Sequence, residues 1–156
     1  MTDNLRIKQK IFTIILPFCG GYFLSYLFRS TNAVIAPYLV VEFNANAQQL
    51  GMLTSAYLFT FALFQIPLGI LLDKYGPRKV QVIMMVIAGL GSAMFCFGSS
   101  LLQLTLARGL IGLGVAGCLM SAFKIITMWY QEKYWPILFG LIMSSGGLGA
   151  VVASKP

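Results

Sequence analysis

The sequence predicts an all-α membrane protein of about five transmembrane helices, and three observations carry that reading. Hydrophobic residues make up 58% of the 156 and charged residues only 10%, with a mean hydropathy of +0.84. A soluble domain has no means of hiding so much apolar surface, which makes lipid the natural solvent. The apolar residues also fall in long runs, as in Val82-Ile83-Met84-Met85-Val86-Ile87-Ala88. A helix needs roughly 20 apolar residues to cross a hydrocarbon core of ~30 Å, whereas a barrel strand takes about 10 residues of alternating polarity. Finally, backbone in lipid finds no water to bond, and a helix satisfies its own amides within one segment.

The first span, residues 11–40, begins after the polar start Met-Thr-Asp-Asn-Leu-Arg-Ile-Lys-Gln-Lys and carries Arg29 inside it. The others cover residues 50–72, 80–98, 101–128 and 136–153, joined by short polar connections. A basic start followed by an apolar run has the outline of a signal peptide. No small-residue cleavage site follows, however, and four more spans do, so the segment is expected to be retained. Cys19, Cys96 and Cys118 all fall inside spans, where they read as small packing residues rather than a disulfide framework or metal site.

Orientation follows from the cations. Arg6, Lys8 and Lys10 precede the first span, Lys74, Arg78 and Lys79 lie in the second connection, and Lys133 in the fourth; the first and third connections hold only Glu42. Cytoplasmic loops carry the excess of Lys and Arg, which places the N-terminus inside. Trp129, Tyr130, Tyr134 and Trp135 fit an aromatic belt at the same face.

The net charge of +7 is spread over membrane flanks and span interiors, not gathered on one soluble face, which argues against nucleic acid as a partner. An enzyme is also disfavoured. With no His, four acids and no nucleophile beside a base, the chain lacks the groups that acid–base or metal chemistry requires, and no cofactor is expected.

Gly69-Ile70-Leu71-Leu72-Asp73-Lys74-Tyr75-Gly76-Pro77-Arg78-Lys79 is the most informative stretch. Gly69 would let another helix approach closely. Asp73 is placed to cap a neighbouring helix N-terminus or to pair with a cation. Gly76 and Pro77 suit a tight turn, and Arg78 and Lys79 hold that turn in the cytoplasm. A second constellation is Arg108-Gly109-Leu110-Ile111-Gly112-Leu113-Gly114-Val115-Ala116-Gly117. Gly112 and Ala116, four apart, suit a close helix contact. Arg108 is expensive in lipid and should face protein or a cavity; a purely structural arginine near the outer interface is the alternative.

The first stretch resembles the signature loop between the second and third helices of major facilitator superfamily transporters, and the second resembles that family's fourth-helix motif, in which Arg108, Gly112 and Gly117 are the matching positions. The small-residue run Phe139 to Ala150 is similar to the fifth helix, although Ser145-Gly146-Gly147 lacks the Gly-Pro pair of many of the family's antiporters. Arg29 resembles the arginine that bacterial organic-anion symporters of this superfamily carry in the first helix, and Lys124 matches a basic position of their fourth. The resemblance therefore implies a carboxylate or phosphate-like substrate, with Arg29, Lys124, Tyr57 and Gln65 as candidate binding residues and a proton or sodium ion as the coupling partner. Lys124 has another reading, since sixteen residues beyond Arg108 put it roughly 24 Å along a helix, within reach of the cytoplasmic interface. Phe28 stands where such symporters often place an acid. Asp3, Glu42, Asp73 and Glu132 are the chain's acids and none falls mid-span.

The family's fold has twelve helices in two six-helix halves, with substrate held between them. The resemblance runs from the first helix to Pro156, so residues 1–156 are expected to form a partial N-terminal domain. Such a chain would transport nothing alone and would require the missing C-terminal helices or a partner chain. Its expected location is the cell (inner) membrane. An accessory membrane subunit and the non-functional remnant of a truncated gene remain as alternatives, and Ala153-Ser154-Lys155-Pro156 carries no structural stop signal.

Overall fold

The computed structural model describes residues 2–154, with side chains from Thr13 onward; the closing Lys155 and Pro156 lie outside the described residues. Helix α1 spans Thr2–Phe43 and runs through Pro17 and Pro37. Neighbouring helices in a membrane re-satisfy the backbone groups that a proline frees, so such a helix persists. α2 spans Ala47–Tyr75, beginning three residues before the apolar run. Its start is fixed by a capping box: the Asn46 side chain accepts from the Gln49 N–H at 2.9 Å, and Gln49 Oε1 accepts from the Asn46 N–H at 2.9 Å.

Gly76 alone separates α2 from α3, Pro77–Cys96. Its φ of 82° lies in the left-handed region that suits glycine, and Pro77 opens α3 with the fixed φ that a first helical turn accepts. The third connection ends at Ser100, which caps the Gln103 N–H at 3.3 Å.

The fourth span departs from the continuous helix expected over 101–128. It is two helices, α4 (Leu101–Val115) and α5 (Gly117–Trp129). At Ala116 the backbone tightens, its N–H turning back to the Leu113 carbonyl at 3.2 Å, and glycine, a weak helix former, follows at 117. A short 3-10 turn, Glu132–Tyr134, then leads into α6, Trp135–Ser154. Trp135 Nε1 donates to the Tyr130 carbonyl at 2.9 Å and ties that turn down.

The bundle is all-α among the described residues. Four of its segments are long and apolar enough to cross a membrane: Ala47–Tyr75, Pro77–Cys96, Leu101–Trp129 and Glu132–Ser154. α1 packs along α6 as the fifth long helix, while α4 lies between α2 and α3. The fourth span is the centre of the molecule. Of its most apolar stretch 61% is buried, against 17%, 28% and 22% for the other three. Ile111, Val115, Cys118, Ala122 and Ile126 face Ile15, Phe18 and Ile142 in the main core.

Two glycines permit this packing. A Cβ on Gly112 would overlap the Tyr57 carbonyl of α2, and one on Gly114 would overlap the Ala88 backbone of α3. Gly69 behaves otherwise, with nothing within 4 Å of the place its Cβ would take, so the close helix approach expected there does not occur within the described bundle. Gly112→Ala should therefore lower stability by about 1–3 kcal/mol through overpacking, whereas Gly69→Ala should raise it by up to about 1 kcal/mol through helix propensity. Equilibrium unfolding of the purified protein in mixed micelles checks both signs.

Candidate functional site

Tyr22, Ser25, Tyr26 and Arg29 follow one another at i, i+3, i+4 and i+7 on α1 and so share one face. That face opens onto a cavity of about 270 Å³, closed by Tyr57, Leu58 and Phe61 of α2 and by Val115, Ala116 and Leu119 at the break in the fourth span. Arg29 is its one charged lining residue. Tyr22 and Tyr26 meet edge to face, with ring centroids 5.1 Å apart; Tyr57, 5% exposed, stacks on Phe61 at 6.4 Å. Three phenols, a serine hydroxyl and a guanidinium thus converge on a space walled otherwise by apolar groups, an arrangement that can hold one anionic group and orient hydroxyls beside it.

Behind the cavity, Arg108 is buried at 3% exposure. Its Nη1 donates to the Phe28 carbonyl at 3.1 Å and its guanidinium stands 4.8 Å from the Phe95 ring. A carbonyl dipole and a ring face thus solvate a cation that no acid pairs among the described residues. The bond lands one residue before Arg29, fixing the α1 backbone from which Arg29 projects. Thr60 Oγ1 adds a bond from α2 to the Gly109 carbonyl at 2.8 Å.

Of the four candidate binding residues, the structure brings Arg29 and Tyr57 together and places the other two elsewhere. Lys124 Nζ lies 2.7 Å from Asp73 Oδ1, so the signature-loop acid pairs with a cation on α5 at the end of α2, away from the cavity lining. Gln65 points between helices, where its Nε2 donates to the Ala116 carbonyl at 3.3 Å. Arg78 instead lines a separate, mainly apolar groove between α1, α3 and α5. Lys79 is exposed and Gly117 is buried against Met84. Tyr22, Ser25 and Tyr26 are not among the residues that the sequence singles out, although counting back from Arg29 by helical period reaches all three. Among the described acids Glu42, Asp73 and Glu132, none lines the cavity.

The family model described as Major Facilitator Superfamily matches residues 18–154. The chain is 31% identical over 149 residues to a probable sulfoacetate transporter, SauU, of Cupriavidus necator, covering 94% of this chain and 35% of the relative. It is 30% identical over 152 residues to a hexuronate transporter of Escherichia coli, covering 95% and 34%. A galacturonate transporter of Dickeya chrysanthemi is 28% identical over 137 residues, with 85% and 39% covered. The chain therefore spans about a third of the length of these curated relatives.

The Asp73–Lys124 pair is accessible, with side-chain exposures of 70% and 38%. Asp73→Asn and Lys124→Met should therefore couple by at most about 1 kcal/mol in a double-mutant cycle, and the coupling should shrink as ionic strength rises. Unfolding titrations at low and high salt measure it.

Proposed function

The chain belongs to the Major Facilitator Superfamily, a family of multi-pass membrane transporters, and from that premise we propose that it supplies the N-terminal wall of a solute site for small anionic metabolites. The observation that carries this reading is Arg29, alone in charge among three phenols and Ser25. A guanidinium presents a planar fork of donors that matches a carboxylate or sulfonate. With no lining acid beside it, the solute's anionic group supplies the counter-charge. The relatives' names fit that chemistry, since sulfoacetate, hexuronate and galacturonate all carry an oxyanion on a small polar body.

The cavity's size supports a shared site. At about 270 Å³ it falls below the about 300–1,000 Å³ usual for a ligand pocket, and it lies at one face of a half-bundle. A facing set of helices, from further chain or from a partner, would complete it, and rocking of one set against the other would give alternating access. This half-bundle alone would bind weakly and transport nothing. The coupling ion, a proton or sodium, would find its site on the facing helices. Lys74, Arg78, Lys79 and Lys133 favour an N-terminus in the cytoplasm, and the cell (inner) membrane is the location we infer for it.

Titrating the protein in lipid nanodiscs with D-galacturonate or sulfoacetate, while following tyrosine-ring resonances by NMR, tests the reading. Tyr22, Tyr26 and Tyr57 should shift with either anion and not with neutral D-galactose. Arg29→Ala should weaken the response about 10- to 100-fold, the size expected from losing a hydrogen-bonded charge. An Arg29→Ala variant that binds both anions as the unaltered protein does would remove the basis for the proposal.

A further inference from the structure

α2 grips the fourth span at three levels, and the middle one is a side chain that the cavity does not use. Thr60 holds the Gly109 carbonyl on α4, Gln65 the Ala116 carbonyl at the break, and Asp73 holds Lys124 on α5. The last two pairs are each 51 residues apart in sequence. From Gln65 to Asp73 and from Ala116 to Lys124, α2 and α5 therefore advance in step, in parallel register. Above the break the fourth span is anchored on more sides, since Arg108 reaches α1 and α3 while Thr60 and the Gly112 contact hold it to α2.

Gln65 also holds a polar atom at an energetic disadvantage. Its Oε1 is buried with no partner among the described residues, and an unsatisfied buried acceptor costs about 1–3 kcal/mol. An apolar side chain of the same volume would avoid that penalty, so the amide's value here lies in the end that bonds. That end meets Ala116, which with Val115 and Leu119 forms the fourth span's share of the cavity wall.

We propose that Gln65 is a positioning residue that couples the cavity wall to the Asp73–Lys124 pair. This rests on the solute-site reading given above. Gln65 holds the break at Ala116 against α2, so that a solute displacing Ala116 and Leu119 moves the start of α5, while α4 stays fixed to α1, α2 and α3. The displacement is then felt at Lys124. Without the amide, α5 loses its register with α2, and the wall and the ion pair move independently.

Hydrogen–deuterium exchange of the protein in nanodiscs, with D-galacturonate as the probe, tests this. Gln65→Leu should speed exchange of α5 amides about three- to tenfold, the worth of one interhelical hydrogen bond in a membrane, while leaving α1 and α6 unchanged. In the unaltered protein, D-galacturonate should slow exchange both at the cavity wall and around Lys124; in Gln65→Leu it should slow only the wall. Thr60→Val, which removes a contact on the α4 side, should keep both effects. If Gln65→Leu disturbs the whole bundle, Gln65→Met, of similar volume and without the donor, is read in its place. Unchanged α5 exchange, or undiminished protection at Lys124, would overturn the role of Gln65. Should D-galacturonate protect nothing in the unaltered protein, the solute reading would fail, and the exchange of ligand-free α5 would still decide Gln65.

Discussion

Backbone-to-backbone approach at Gly112 and Gly114 is the constraint on which the rest of this bundle depends. Lipid tails are as apolar as the helix surfaces, so helices gain little by hiding from lipid and must associate through dispersion and interhelical hydrogen bonds. Both need short distances. With no Cβ at Gly112 the Tyr57 carbonyl can lie against α4, and with none at Gly114 the Ala88 backbone can do the same. That closeness brings Thr60 within 2.8 Å of the Gly109 carbonyl and sets Tyr57 at the cavity. It also buries the fourth span in the middle of the molecule, where a break in its helix becomes a feature of the cavity wall and not of the lipid face.

Given that frame, three cations find three different solutions in a protein with few acids. Arg108 is enclosed and uses a carbonyl and an aromatic ring. Lys124 reaches the bundle end and pairs with Asp73 there. Arg29 has neither and is left facing the cavity. The contrast gives Arg29 its meaning, because the fold solvates or pairs the other two and leaves this guanidinium to whatever enters.

Sequence and structure agree where one helix or one turn decides the outcome. Gly76-Pro77 marks the tight reversal, and the apolar runs locate every long helix. The Asn46 to Gln49 capping box is equally present in the sequence, but a boundary drawn from apolarity alone begins at Leu50 and passes over it. The face shared by Tyr22, Ser25, Tyr26 and Arg29 follows from the helical period. The break at Ala116 does not, because Leu113 to Met120 is uniformly small or apolar, and a glycine such as Gly117 in a membrane helix reads as a close-contact residue as readily as a stop. Lys124 and Gln65 are harder still. Each chooses its partner 51 residues away, and only the packing of α2 on the fourth span shows that one meets Asp73 and the other a backbone carbonyl instead of the cavity.

Phe28 sharpens what this half-bundle can contribute. Organic-anion symporters of the superfamily often carry an acid at that place, beside the arginine of the first helix. Here Arg108 bonds to the backbone of Phe28, whose carbonyl does not titrate at any physiological pH. The contact that braces Arg29 from behind therefore rests on an acceptor with no proton to gain or lose, and no described acid lines the cavity. On the proposed reading, anion recognition is then carried in this wall by a fixed positive charge, Arg29, with no described acid beside it.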